Sequence, residues 1–357
     1  MFLSIGMLKL NYFLADIFIL SAEKQPIKLS WRKIECLLMC NVNESPGNVI
    51  YCNLYAWCVF LYGLNFKSMD KHSFFIALWV LCFIPVSLFS RSRVVNDTIF
   101  SKKLNAERTC SVYLPPSYGE VPGKKYPVLY LFHGMSQTNQ DWVWRGHVQE
   151  VADRLIYSQE AREMIIVMPD AGGDIYKEIW NGFFNMPGWL YEDFFFEEFL
   201  PYVENKYHVI GDKENRAVAG LSMGGGGATG YGLWHADKFA SVYAMSALMS
   251  IPEEGAARFD NPDSKLAILT RAVIERSCIK RVTNADAGTI QALKSVRWFV
   301  DCGDDDFLLD RNIEFFQAMR KAGIPCQFRV RDGGHDWEYW HSALYLCLPF
   351  VSGTFSK

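Results

Sequence analysis

The sequence Gly-Leu-Ser-Met-Gly at residues 220–224 constrains the fold of this chain more than any other feature. It follows the apolar run Ala-Val-Ala at residues 217–219 and precedes a glycine-rich segment that is able to open a helix. A serine between glycines at a strand-to-helix junction is typical of a nucleophile elbow, a turn so tight that only glycine fits at the flanking positions. The turn pushes the serine hydroxyl out above the sheet. Ser222 is therefore the candidate nucleophile.

A nucleophilic serine requires two partners, because its hydroxyl reacts slowly at neutral pH until a histidine takes the proton and an acid orients that histidine. Residues 296–303 form a β-rich run that ends at a glycine and is followed by three consecutive aspartates at residues 304–306. Residues 326–331 predict a further strand, after which two glycines precede His335. His335 is the candidate base, and the aspartate cluster supplies the acid.

The chemistry also requires an oxyanion hole, in which N–H donors stabilise the negative charge of a tetrahedral intermediate. The apolar run at residues 126–132 predicts a buried strand that ends in His-Gly. The loop after it supplies the Met135 N–H, and the residue after the nucleophile supplies the Met223 N–H. His133 is an alternative base, but a histidine just before such a loop more often holds the loop by hydrogen bonds.

The order of these residues along the chain indicates the fold. Ser222, an aspartate near residue 306 and His335 each follow a predicted strand, and helical patterns separate the later strands. This is the chain order of the α/β-hydrolase fold, an α/β fold with a mostly parallel central sheet and helices on both faces. Ligands bind at the carboxyl ends of the strands in such sheets. We therefore expect the three side chains to meet at that edge.

Together these motifs resemble the esterase D and feruloyl esterase family of α/β-hydrolases, which is similar to secreted bacterial carbohydrate esterases. The resemblance implies a serine esterase that forms an acyl-enzyme and needs neither a metal nor an organic cofactor. It also implies that the acid stands three residues after Gly303, which is Asp306 rather than its two neighbours. The matching segments are residues 112–118, 126–130, 133–134, 220–225, 302–306 and 334–337.

The resemblance leaves the substrate open. Acyl esters of plant polysaccharides, either feruloyl or acetyl, are the expected substrates. The alternatives are a thioesterase resembling S-formylglutathione hydrolase, an acyltransferase to a sugar acceptor, and a non-catalytic carbohydrate-binding relative.

Two further features bear on substrate binding. Trp180 and Trp337 are candidate contacts for a sugar ring or a phenolic acyl group, although tryptophans in so apolar a chain are usually core residues. Residues 264–280 have helical periodicity and lie between the nucleophile strand and the acid strand. We therefore predict a cap insertion around residues 250–295.

The N-terminal quarter has a different character. Residues 69–92 combine a weakly basic start at Met69, a short apolar stretch and the exit sequence Ser-Arg-Ser, a pattern that predicts a secretory signal peptide. Residues 1–68 are then an upstream leader outside the folded enzyme, residues 93–357 are the catalytic domain, and the protein is secreted or periplasmic. Alternatively, residues 74–89 remain as a membrane anchor. Peptides from residues 30–67 in the mature protein, found by mass spectrometry, would contradict the leader hypothesis.

Composition excludes other classes of partner. Half of the residues are hydrophobic and the formal net charge is −3, so we expect one large core and no nucleic-acid partner. The pattern Gly225-x-Gly227-x-x-Gly230 fits a dinucleotide fingerprint, but it begins inside the predicted helix rather than at the strand-to-helix turn that binds phosphate. We predict instead that these glycines let the helix lie close to the sheet.

Overall fold

The computed structural model describes residues 91–356 of the 357-residue chain. The predicted leader at 1–68 lies outside the described residues, as does the predicted signal segment at 69–92 except for its last two residues. Ser92 is buried and donates from its hydroxyl to the Asp153 carboxylate at 2.7 Å. No helix within this described region has the length and apolar character needed to span a bilayer.

An eight-stranded sheet forms the centre of the described region, with the strand order β1-β2-β4-β3-β7-β8-β9-β10. β1 pairs antiparallel with β2 and β2 antiparallel with β4, whereas the six strands from β4 to β10 in this order are parallel. This arrangement confirms the predicted α/β-hydrolase fold. The strands are β1 Arg93–Ser101, β2 Ala106–Leu114, β3 Val128–Phe132, β4 Ile165–Pro169, β5 Asn185–Met186, β6 Trp189–Leu190, β7 Arg216–Leu221, β8 Ser241–Met245, β9 Arg297–Gly303 and β10 Cys326–Arg331, of which β5 and β6 form a separate ribbon.

Helices connect the strands. A π-helical segment, Phe194–Phe199, joins α3 to α4, and 3₁₀ turns lie at Ile175–Lys177, Lys213–Asn215 and Glu253–Arg258. The α-helices are α1 Asp141–Trp144, α2 Val148–Tyr157, α3 Tyr191–Asp193, α4 Leu200–Lys206, α5 Ser222–Trp234, α6 Lys265–Glu275, α7 Cys278–Thr283, α8 Ala287–Leu293, α9 Leu309–Lys321 and α10 Trp337–Ser352.

Side chains alternate between the two faces of the sheet and build a core on each. In β3, Tyr130 and Phe132 pack in one core, which α5 and α9 cover, whereas Leu129 and Leu131 pack in the other, which α2 and α10 cover. All four side chains are fully buried, as expected for a central parallel strand covered on both faces. Helices therefore lie on both faces, as predicted.

The segment predicted as a cap insertion contains α6, α7 and α8, and an ion pair to a buried carboxylate attaches it to the rest of the domain. Arg276, just after α6, donates to both carboxylate oxygens of the buried Glu192 at 2.7 Å. Its guanidinium also stacks on Trp234 at 4.2 Å, and His235 lies 2.8 Å from the same carboxylate. Because removing one partner of a buried pair leaves an uncompensated charge, these contacts fix the insertion in place.

Helix α5 packs so closely against neighbouring backbone that no side chain would fit at several of its glycine positions. A Cβ atom on Gly224 would lie 2.3 Å from the carbonyl oxygen of His133, and one on Gly220 would lie 2.4 Å from the carbonyl oxygen of Gly224. Gly226 faces Leu248 equally closely. The glycine run therefore serves close packing of α5, in agreement with the interpretation drawn from the sequence.

We predict that Gly224→Ala destabilises the domain strongly, because the new methyl group meets rigid backbone atoms rather than flexible side chains. Overpacking of this kind typically costs about 1–3 kcal/mol, and more where backbone must move. Gly288→Ala in α8 is the matched control, since its methyl group would have ordinary contact with the Asp286 side chain just before the helix and alanine favours a helix. Denaturant unfolding midpoints measure both variants, and equal midpoints would contradict the packing argument.

Candidate active site

Ser222 occupies the turn between β7 and α5. Its backbone has a φ of 53°, a left-handed conformation that is strained for a residue with a side chain. The Ser222 carbonyl accepts a hydrogen bond from the Leu248 N–H at 2.9 Å, which holds the turn against the segment after β8. The hydroxyl thereby stands at the carboxyl edge of the sheet, where the sequence predicted it.

The acid loop after β9 and the histidine loop after β10 are bonded to each other. The Asp304 N–H donates to the Arg331 carbonyl at 3.0 Å, the Asp305 N–H donates to the Gly333 carbonyl at 3.1 Å, and the Gly333 N–H donates to the Asp304 carboxylate at 3.0 Å. A Cβ atom on Gly303 would lie 2.0 Å from the Gly333 carbonyl oxygen. Backbone hydrogen bonds and close packing therefore hold the two loops together.

A chain of hydrogen bonds connects the three residues predicted from the sequence. The His335 Nδ1 lies 2.8 Å from the Asp306 Oδ2, and the His335 Nε2 lies 2.9 Å from the Ser222 Oγ. With Nδ1–H donating to the carboxylate, Nε2 is free to accept from the serine hydroxyl. Asp304 and Asp305 are exposed, so only Asp306 of the three aspartates reaches the imidazole.

The Asp306 carboxylate is held in its charged form. Burial favours the neutral acid, but hydrogen bonds from His335 and from the Leu308 N–H at 2.8 Å outweigh burial and lower the pKa of Asp306 below its ordinary value. The residue therefore carries a negative charge at neutral pH. Such a charge is what an imidazole needs beside it in order to accept a proton.

His133 holds the loop after β3. Its ring is buried, with Nδ1 at 2.7 Å from the Gly134 carbonyl and Nε2 at 3.0 Å from the Ala171 N–H. Both ring nitrogens are thus engaged, and burial lowers the pKa of His133, which favours the neutral ring. This geometry agrees with a structural role for His133 rather than with the alternative of a base.

The two predicted oxyanion donors lie on adjoining segments. The Met135 N–H finds no acceptor among residues 91–356. The Met223 N–H belongs to the first turn of α5, where backbone donors have no intrahelical partner. Ser136 beside Met135 has a φ of 57°, and its N–H donates to the Asn181 Oδ1 at 3.3 Å. No motif indicated Asn181, which is buried and braces this loop.

Two aromatic rings flank the imidazole of His335. The Phe307 ring lies 4.5 Å away between ring centroids, and the Trp340 ring stands edge-on at 5.0 Å. Phe307 is 75% exposed, although it directly follows the buried Asp306. The sequence interpretation missed Phe307, and an apolar residue directly after an acidic cluster was the available signal.

The two tryptophans predicted as substrate contacts lie in different surroundings. Trp337 is 8% exposed, stands edge-on to Trp142 at 5.1 Å and has the Arg145 guanidinium over its ring at 5.2 Å. It is therefore a core residue, and the expectation of a flat binding surface at Trp337 is corrected. Trp180 is half-buried, with the Lys265 ammonium over its ring at 5.3 Å, and remains the candidate contact.

A fully buried carboxylate supports the acid and histidine loops from below. Asp301 in β9 accepts hydrogen bonds from the hydroxyls of Tyr243 at 2.8 Å and Tyr339 at 2.6 Å. Arg331 in β10 also donates to it, at 3.1 and 3.2 Å. Asp301 therefore joins three strands and α10. Over residues 91–356, no group of three or more His, Cys, Asp or Glu side chains is arranged to hold a metal ion.

We predict that Asp301→Asn lowers the free energy of unfolding by about 3–5 kcal/mol, the usual cost of breaking a buried ion pair. The N–H₂ group of the new asparagine would face the hydroxyl and guanidinium groups that donate to Asp301, and Arg331 would lose its countercharge. Asp305→Asn is the matched control, because Asp305 is exposed and we expect a change of less than about 0.5 kcal/mol. Urea unfolding measures both, and similar losses in the two variants would show that the buried carboxylate is dispensable.

Comparison with known proteins identifies the family. The model of the Esterase family, described as "Putative esterase", matches residues 101–351. An acetyl esterase of Caldicellulosiruptor saccharolyticus is 23% identical over 72% of this chain and 98% of its own length. An endo-1,4-beta-xylanase/feruloyl esterase of Xylanibacter ruminicola is 32% identical over 71% of this chain, which spans 31% of that longer protein.

Solved structures agree. A ferulic acid esterase is 66% identical with a TM-score of 0.72, and the match covers 75% of this chain and all of that one. The serine hydrolase FphF of Staphylococcus aureus, at 23% identity and a TM-score of 0.61, shares the fold over 73% of this chain and 99% of its own. The chain therefore belongs to the Esterase family, as its motifs indicated, and is a carboxylic ester hydrolase.

Proposed function

We propose that this protein is a serine esterase that releases acyl groups from plant polysaccharides, with Ser222 as nucleophile, His335 as base and Asp306 as the acid that orients the histidine. The observation that carries the proposal is the hydrogen-bond chain through the imidazole, with distances of 2.9 and 2.8 Å. These distances are within the range that proton transfer requires. The reaction needs no group beyond those of the chain and water.

The first half-reaction acylates the serine. The His335 Nε2 takes the proton as the Ser222 Oγ attacks the ester carbonyl, and the negative charge on the carbonyl oxygen is held by the Met135 and Met223 amides. The intermediate then collapses, the bond to the alcohol breaks, and the imidazolium gives its proton to the leaving oxygen. Asp306 stabilises the imidazolium while it exists.

The second half-reaction releases the acid. Water takes the place of the departed alcohol, gives a proton to the His335 Nε2 and attacks the acyl-enzyme. The same two amides hold the second oxyanion, and the proton returns to the Ser222 Oγ as the acid leaves. The enzyme is thereby restored.

Feruloyl esters are the first choice among the expected substrates. The ferulic acid esterase that is 66% identical over its full length supports this choice, and the acetyl esterase at 23% identity keeps acetyl esters as the second. A polysaccharide does not cross a membrane, so this proposal goes together with an enzyme exported by the signal segment predicted at residues 69–92.

We predict that Ser222→Ala lowers kcat on methyl ferulate by on the order of 10⁴-fold or more, because loss of the nucleophile removes the covalent route. A fluorophosphonate probe should label the wild type and leave Ser222→Ala unlabelled. Acetylated xylan, nitrophenyl acetate and S-formylglutathione complete the substrate panel. His341→Ala is the control, since His341 bonds the Gly146 carbonyl away from the triad.

Three outcomes of this panel would contradict the proposal. An unlabelled wild type would favour the non-catalytic carbohydrate-binding alternative. Hydrolysis of S-formylglutathione far ahead of every oxygen ester would favour the thioesterase. Transfer of the acyl group to an added sugar in preference to water would favour the acyltransferase.

We predict a pH-dependent stability difference between the wild type and Asp306→Asn. The folded pKa of Asp306 lies below its ordinary value of 3.8, so its charge stabilises the fold above that value, and this contribution is lost as the pH falls through the lower folded pKa. The gap in the free energy of unfolding should therefore shrink on acidification. Asp305→Asn, at the exposed neighbouring position, is the matched control, and a gap between the wild type and Asp306→Asn that stays constant would contradict the assigned charge state.

A further inference from the structure

We propose that Phe307 forms the surface on which the sugar ring of the alcohol part rests while the ester is cleaved. The inference rests on the proposed function and adds a leaving-group subsite to the same site. Its basis is the juxtaposition of an exposed phenyl ring with the imidazole that protonates the leaving alcohol.

Phe307 is unusual for a phenylalanine. Its exposed fraction of 75% is the highest among the exposed large hydrophobic residues of the described region. Burial of such a side chain stabilises a fold, so the exposure of Phe307 forgoes stability. An exposed apolar residue alone has no functional meaning, but this ring lies 4.5 Å from the His335 ring.

The backbone that carries the ring is held on both sides. On one side, Asp306 is buried and its carboxylate bonds His335. On the other side, the buried Leu308 donates its N–H to that carboxylate at 2.8 Å, and the Leu309 N–H donates to the Asp306 carbonyl at 2.9 Å. The backbone of Phe307 is thus held between two fixed residues just before α9, so its ordering adds little to the cost of binding a ligand.

The chemistry of the proposed reaction decides which part of the substrate the ring meets. The leaving oxygen receives its proton from the His335 Nε2 and must come within about 3 Å of it. The carbonyl oxygen is directed toward the Met135 and Met223 amides instead. The group attached to the leaving oxygen therefore lies beside the imidazole, where the Phe307 ring stands.

A sugar ring suits this surface. One face of such a ring carries C–H groups, and an aromatic ring attracts them through the negative charge on its own face. The sugar hydroxyls at the edge keep their contact with water. A methyl group is too small to cover a phenyl ring, so methyl esters and sugar esters should depend on Phe307 to different degrees.

The test compares methyl ferulate with the ferulate ester of methyl arabinofuranoside in Phe307→Ala, Phe307→Leu and Phe307→Tyr. We expect kcat/KM on the sugar ester to fall about tenfold more than on the methyl ester in Phe307→Ala and Phe307→Leu, mainly through KM, because the sugar ring loses the aromatic face on which it rests. Phe307→Tyr keeps the ring and should keep the ratio. Phe100→Ala, a phenylalanine 58% exposed in β1, is the control.

One result would overturn the inference while leaving the proposed function intact: an unchanged ratio of the two esters in Phe307→Ala and Phe307→Leu. If both esters are then hydrolysed more slowly by the same factor and fluorophosphonate labelling is also slower, Phe307 only positions His335. If the wild type shows no Ser222-dependent hydrolysis of either ester, the proposed function itself fails and the inference fails with it.

Discussion

The contact between the first turn of α5 and the end of β3 is the constraint on which the rest of this site depends. Two glycines, Gly220 and Gly224, bring the backbones together at distances that no Cβ would tolerate. This approach holds Ser222 in a left-handed conformation, which costs about 1–3 kcal/mol and persists only because the surroundings impose it. The same turn leaves the Met223 N–H without an intrahelical partner. One packing contact therefore creates both an outward hydroxyl and a donor beside it.

The other half of the site depends on a different kind of restraint. Asp306 and His335 lie in loops that leave neighbouring parallel strands, and backbone hydrogen bonds join the two loops. Beneath them, Asp301 collects two tyrosine hydroxyls and Arg331 in a place that water does not reach. Because both loops begin above the same buried carboxylate, the sheet contributes to the separation of Asp306 and His335. The site thus combines a strained backbone turn at Ser222 with two loops that hydrogen bonds hold together.

The features that depend on residues close together in the sequence could be predicted from the sequence alone. The glycines around Ser222 and before His335 identified both residues, and the alternation of strands and helices identified the fold. The antiparallel β1 and β2 were not anticipated. Asp306 needed the family resemblance, since three adjacent aspartates look alike until burial and a partner distinguish them. The positions of Asn181 and Phe307 in the site depend on tertiary contacts that the sequence does not reveal. The expectation for Trp337 was wrong because the type of a residue does not determine how exposed it is.

Glu192 and Arg276 carry a consequence for exchanging parts of this scaffold between relatives. The buried carboxylate lies in α3, whereas the guanidinium, which is 27% exposed, follows α6 in the segment predicted as a cap insertion. A chimera that imported this segment from a relative without a cation at the junction would leave a buried negative charge with only His235 beside it. Exchange of the segment is therefore conditional on a two-residue match across the graft boundary.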